Sequence, residues 1–298
     1  MRLTVLLAAI LVCSGLACSA GPGAAETIFP ADGTRPALPG DQELLKIVCP
    51  AGAALGDRGV TCPASCPAFT GLPGEGFEWS FGAITRGHFL APASEDAIVA
   101  ASGCEPESLN SGGTFLLTRR SGAWTLLWYK AGVDTARCHK VMLPSGREIL
   151  TCLGETGLPG EPVTSLYMED PLHPTPVLRA GDGSEFFSTR DNTATCGWNN
   201  DDESKPYPLV YSRVGKIEFG SGRGRGRPVL SVTATFGEKP MTREDAQWCI
   251  DEENPAKPHR GAGFLPQAKR YKIDFLFTGK TYRVAPSSQG SALIFSRR

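Results

Sequence analysis

The sequence predicts an all-β fold built as a row of small antiparallel sheets, with one short helix near 242–253. Three observations carry this expectation. Glycine and proline number 35 and 24 of 298 residues, which demands many turns and leaves little room for long helices. Short apolar runs flank turn signals, as in "CHKVMLPSGREILTC" (138–152), where "PSGR" separates two such runs. The order of these runs also recurs at a fixed offset of 51 residues.

The first element is an export signal. "MRLTVLLAAILVCSGLACSAGPGAAE" opens with Arg2, continues through an apolar run over 3–12, and ends in small residues. The run is too short to span a bilayer. "GLAC" (15–18) resembles the lipobox of bacterial lipoproteins, in which the cysteine is lipidated and becomes the mature N-terminus. The resemblance implies a signal peptide over 1–17 and lipidation at Cys18, although Gly15 stands where that family usually has an aliphatic residue. Ordinary cleavage after Ala17, Ser19 or Ala20 is the alternative, and it also exports the chain. A Gly-, Pro- and Ala-rich tether is expected over 18–42, followed by one β-rich domain over 43–298.

Eight cysteines follow Cys13 and Cys18, and an even number in an exported chain reads as disulfides, with 105 possible pairings. One pair follows from geometry. Cys138 and Cys152 each lie seven residues from Ser145, the centre of the predicted hairpin, so they face one another across its strands. A second bridge, Cys196 to Cys249, would tie the predicted helix "MTREDAQWCIDEEN" to a sheet, with Thr242 as its N-cap. The pairing of Cys49, Cys62, Cys66 and Cys104 stays open. A zinc site on Cys62 and Cys66 would need two further ligands and reducing conditions, so no metal is expected there.

The repeat sets the architecture. Without gaps, "RGHFLAPASEDAIVAASG" (86–103) aligns with "RCHKVMLPSGREILTCLG" (137–154), matching Arg86 to Arg137, His88 to His139, Ser94 to Ser145 and Gly103 to Gly154. The units are placed at 86–136 and 137–190, with a looser copy at 191–237 whose turn is lengthened by "GSGRGRGRP" (220–228). Within the first unit, "GTFLLTRRSGAWTLLWY" (113–129) supplies a second strand pair that turns at Arg119–Gly122. About four strands per 50 residues is the economy of a propeller blade, which buries its faces by stacking on neighbours. A two-sheet sandwich is the alternative.

"GHFLAPASEDAIVAASG" resembles the FG-GAP or integrin-type propeller repeat, with Phe89 and Asp96 at that family's separation and Ile98 and Val99 opening its second strand. The family binds calcium on alternating Asp and Asn residues. Here "LAPASE" (90–95) and "MLPSG" (142–146) lack the oxygen ligands a calcium ion needs, so none is expected. Beyond the repeats, "FEWSF" (77–81) alternates as a strand. "YKIDFLFTGKTYRVA" (271–285) reads as a hairpin turning near Gly279, and "SALIF" (291–295) as a strand closing the last sheet.

No catalytic constellation emerges. His88, His139, His173 and His259 are dispersed, and no HExxH, G-x-S-x-G, P-loop or dinucleotide motif occurs. His88 and His139 share a repeat position, which suits a structural role. Asp201 and Asp202 sit in a solvated loop without a defined separation. Trp79, Trp124, Trp128, Trp198 and Trp248 invite a glycan platform, but Trp124 and Trp128, four apart on one predicted strand, suit packing on one face. A net charge of −1 supplies no basic field, and Arg223, Arg225 and Arg227 read as a solvated turn, so no nucleic-acid partner is expected. The sequence thus points to an exported, lipid-anchored, non-catalytic binding or scaffolding protein without cofactor, meeting an envelope protein or glycan and touching the membrane only through its lipid. A secreted hydrolase acting on glycan or peptide is the alternative.

Overall fold

The computed structural model describes residues 26–27, 41–56, 59–63, 79–103, 113–133, 135–158, 161–174, 185–193, 208–221, 228–242, 244–245 and 266–296. Among them the chain is mostly strand, arranged as three open antiparallel sheets where the sandwich alternative has two. The first sheet runs in chain order through β2 (Ala54–Gly56), β3 (Gly59–Cys62), β4 (Trp79–Gly87), β5 (Asp96–Ser102), β6 (Gly113–Arg120) and β7 (Ala123–Ala131). The second holds β8 (Cys138–Met142), β9 (Glu148–Leu158), β10 (Glu161–Glu169) and β11 (Glu185–Arg190). The third holds β12 (Leu209–Ser221), β13 (Pro228–Lys239), β14 (Lys269–Phe277) and β15 (Tyr282–Val284), with β1 (Glu26–Thr27), from within the expected tether, paired along β12.

Strand alternation stacks these sheets. Val99, Phe115 and Leu117 face a core closed by α1 (Gln42–Val48), which buries Leu44, Leu45 and Val48 against them. Their neighbours Ile98 and Leu116 point the other way, onto Leu150, Cys152 and Tyr167 of the second sheet. The alternate residues Ile149, Leu153 and Leu166 then pack on Leu230, Val232, Ile273 and Phe275 of the third. The second sheet is therefore buried on both faces, which is why Leu150 to Leu153 shows no polar side turned to water.

Two disulfides are present among the described residues. Cys138 and Cys152 are bonded and are register partners of β8 and β9, as the hairpin geometry requires. The neighbouring pair is hydrogen-bonded, Leu153 N–H donating to Arg137 C=O at 2.9 Å, so the cysteines occupy the closer, non-hydrogen-bonded position, with Cα atoms 4.1 Å apart. Cys49, at the end of α1, bonds to Cys62 of β3. The turn between β6 and β7 places Ser121 and Gly122 at φ 50° and 83°, the left-handed pair of a two-residue hairpin. At the predicted helix, Thr242 Oγ1 accepts from Asp245 N–H at 3.0 Å and donates to its carboxylate at 2.8 Å, a reciprocal cap.

Two expectations are corrected. The run over 291–295 is not a strand: it lies in α2 (Gln289–Ser296), entered through a 3-10 turn that begins at Pro286. Proline presets the first turn of a helix, and a five-residue apolar run has too little period to distinguish the two states. Trp124 and Trp128 do not share a face. Leu117 pairs with Leu126 but Leu116 with Trp128, so Leu127 is an extra residue that bulges and reverses the alternation. Trp124 consequently joins the core under α1, while Trp128 packs toward the second sheet.

Candidate functional site

The residues that carried the propeller resemblance form an interlock between the first two sheets. Asp96 opens β5 and is fully buried; its Oδ2 accepts from the N–H groups of Phe89 and Leu90, both at 2.8 Å, and from the Ser94 hydroxyl at 2.5 Å. Oδ1 accepts from the Thr118 hydroxyl at 2.7 Å. Protein donors thus occupy both oxygens of the carboxylate, and the loop is held by its own backbone. Among the described residues no three His, Cys, Asp or Glu side chains gather as metal ligands would.

The second hairpin grips that loop from outside. Arg147 donates to the Phe89 carbonyl at 2.9 Å and forms a fork with Asp170 at 2.6 and 2.8 Å. Burial pushes the Asp170 carboxyl up, but the fork and the Leu172 N–H outweigh it and hold the group below the usual carboxylate range. Glu148 exchanges hydrogen bonds with His88: its N–H donates to the His88 carbonyl at 2.8 Å and its Oε2 accepts from the His88 N–H at 2.7 Å. Lys140 Nζ lies 3.1 Å from the other oxygen of Glu148.

The histidines at equivalent repeat positions part company. The exposed His88 ring has Nδ1 2.5 Å from the Ser94 carbonyl oxygen. His139 stacks on Phe219 of β12, ring centroids 3.8 Å apart and planes 15° from parallel. Ser94, His88 and Asp96 do meet in one loop, but the Ser94 hydroxyl goes to Asp96 and not to the imidazole, so the order of contacts is not that of a nucleophile and its base. His173 is exposed after β10. Cys18, Cys66, Cys104, Cys196, Cys249, His259, Asp201, Asp202, Trp198, Trp248, Arg223, Arg225 and Arg227 lie outside the described residues.

A cleft that the sequence did not announce lies between β11 and α2. Its volume is about 490 Å³, within the range of small-molecule sites. A bulge builds one wall: Leu166 pairs with Phe187 but Tyr167 with Glu185, leaving Phe186 as the extra residue. Two consecutive phenylalanines therefore turn to the same core, Phe186 against Phe275 and Tyr282, each at 5.3 Å, and Phe187 against Phe275 at 5.9 Å. From α2, Phe295 meets Phe187 at 5.2 Å, while the exposed Leu293 forms the rim. Among the described residues of the lining Glu185 is the one ionisable residue, and its Oε2 accepts from the Ser165 hydroxyl at 2.6 Å. Behind this wall, burial pushes the Tyr282 phenol up to about 12, with the Thr151 hydroxyl beside it working the other way. The Tyr282 phenol is therefore neutral at neutral pH.

No protein family, curated protein or solved structure matches the chain.

Proposed function

We propose that the chain is an exported protein of the bacterial cell envelope, anchored by lipid at Cys18, which binds a ligand in the cleft between β11 and α2 and performs no catalysis. One observation carries the binding reading: the cleft is an aromatic-walled cavity whose lining, among the described residues, includes one ionisable residue, Glu185. Acid–base or nucleophilic catalysis needs a partner for that group, a second titrating side chain or an oriented nucleophile, and the described residues of the lining include no second titrating side chain. Export is supported by the basic and apolar N-terminus and by two disulfides, bonds that persist in oxidising compartments.

The propeller reading gains support from the order of packing. The meanders β4–β7, β8–β11 and β12–β15 each hold four strands and stack in chain order through two successive cores, as blades of an incomplete propeller do. Metabolic labelling with palmitate tests the anchor. The wild-type chain should take up label and fractionate with membranes, and Cys18→Ser should do neither; an unlabelled wild-type chain overturns the anchoring.

A further inference from the structure

We propose that one end of the stack, where hairpin loops of all three sheets meet, rests on the surface of the phospholipid bilayer that holds Cys18. This rests on the reading of the chain as lipid-anchored, and it adds a protein face to a contact that the sequence assigns to the lipid alone.

Chain length gives the first argument. β1 pairs antiparallel with β12, Glu26 opposite Phe219 and Thr27 opposite Glu218, so the chain upstream of Glu26 leaves toward the Ser221 end of β12. That end lies two residues beyond Phe219 (219 to 221), about 7 Å along the strand, whereas the Leu209 end lies ten residues away (209 to 219), about 33 Å. Eight residues separate Cys18 from Glu26 (18 to 26), and a chain of that length spans at most about 29 Å when fully extended. The segment is therefore too short to bring the bilayer against the Leu209 end, and it reaches the Ser221 end with length to spare.

What the Ser221 end exposes gives the second argument. Val229 and Leu276 are register partners there, so the turn over 278–281 lies at that end. A Cβ added to Gly279 would lie 3.8 Å from Pro144, and one added to Gly146 would lie 3.2 Å from Pro92, which brings the β8–β9 turn and the β4–β5 loop alongside. Exposed on these loops are Ala91, Pro92, Ala93 and Pro144. Met142, which ends β8, and Leu172, which follows β10, join them at 53% and 41% exposed. Arg147 holds the apolar tips as one platform, because it donates to the Phe89 carbonyl and forks with Asp170. Such a platform gains from contact with the boundary between headgroups and acyl chains, and a second contact of this kind makes a lipid anchor stable. Lys280, exposed on the turn over 278–281, suits phosphate headgroups.

Site-specific photocrosslinking in membranes of cells that express the full chain tests this. A benzophenone-bearing amino acid replaces Pro92 or Pro144, or the exposed Pro162 at the start of β10 and hence at the opposite end, and adducts are sorted by mass into lipid and protein. The Pro92 and Pro144 probes should give at least about tenfold more phospholipid adduct than the Pro162 probe. Met142→Asp/Leu172→Asp should cut those adducts several-fold while palmitate labelling and the thermal melt match those of the wild-type chain. Equal lipid adducts at both ends, protein adducts in place of lipid at Pro92 and Pro144, or adducts unchanged by Met142→Asp/Leu172→Asp overturn the docking and leave the anchor standing where palmitate is incorporated. A wild-type chain without palmitate overturns the anchor, and the docking with it.

Discussion

Between β4 and β5 the chain turns over eight residues, 88–95, whereas between β8 and β9 it turns over five, 143–147. These are the hairpins that the 51-residue offset aligns, and each delivers its second strand, β5 or β9, to the same place in its meander. Their means of support differ. The longer loop is organised from within, by one buried carboxylate that four donors reach. The shorter turn closes on its own backbone, Gly146 N–H donating to the Leu143 carbonyl at 2.9 Å and Leu143 N–H to the Arg147 carbonyl at 2.8 Å, and holds no buried carboxylate; Arg147 and Glu148 reach across to the first loop and fasten the two sheets together. Strand order is thus set by apolar runs that must be buried, while a turn is solved locally with whatever polar groups the neighbouring sheet presents. The ungapped alignment hides this, since it carries Gly87, partner of Asp96, onto Cys138, whose partner is Cys152.

The largest expected effect is at the internal support. Asp96→Ala leaves the Phe89 and Leu90 N–H groups and the Thr118 hydroxyl without their acceptor in a buried site, a loss of about 3–4 kcal/mol. Arg147→Ala, which cuts only the external grip, should cost about half as much in urea denaturation. Equal losses would show that the two turns are held alike. Next come the disulfides. Their sequence separations are 13 and 14 residues, so loop-closure entropy assigns each about 3 kcal/mol. Cys138→Ser/Cys152→Ser and Cys49→Ser/Cys62→Ser should shift the urea midpoint by similar amounts. A much larger loss in the first would mark the hairpin of the doubly buried sheet as the more dependent on its bridge.

How far the sequence could be read follows the same division. Counting from Ser145 sets Cys138 opposite Cys152, their register in the structure, because a hairpin with a clear turn has a period of two and little freedom. The hairpin over 271–285 was legible for the same reason, with Ile273, Phe275 and Phe277 buried on one face and Gly279 at φ 96° in the turn. Bulges defeated the reading, because one extra residue carries no compositional mark: Leu127 separates the two tryptophans, and Phe186 gives the cleft its double aromatic wall. The cleft also depends on α2, and the signal available for it was Pro286 ahead of the run, set against an apolar composition that suits a strand equally well. Likewise, α1 has only seven residues, too few for a periodicity to show.

Gly87 is where the two turns touch, and it isolates their contact. A Cβ there would lie 2.3 Å from Glu148 Oε2 and 2.8 Å from the tip of Phe89, so Gly87→Ala should cost about 1–3 kcal/mol through crowding. Gly122→Ala is the control: its turn has φ +83° with nothing within 4 Å of the added carbon, so only backbone strain of about 1 kcal/mol applies. If the two substitutions cost the same in thermal unfolding, the close approach at Gly87 is not what limits that position.

The smallest effect appears in acid and separates the ionic part of the external grip from its geometry. Asp170 is held below the usual carboxylate range when folded and returns to about 3.9 when unfolded. A depressed folded value contributes stability that is fully present above about pH 4 and is lost as the pH falls through that folded value. The Asp170 side chain is 34% exposed, which limits its share to about 1 kcal/mol or less. Asp170→Asn should therefore be slightly less stable than wild type at pH 7, and the gap should close as the pH is lowered past the folded value, measured by denaturant unfolding at stepped pH. Because the Leu172 N–H also donates to Asp170, a gap that persists unchanged in strong acid would assign the effect to that local turn and not to the Arg147 fork.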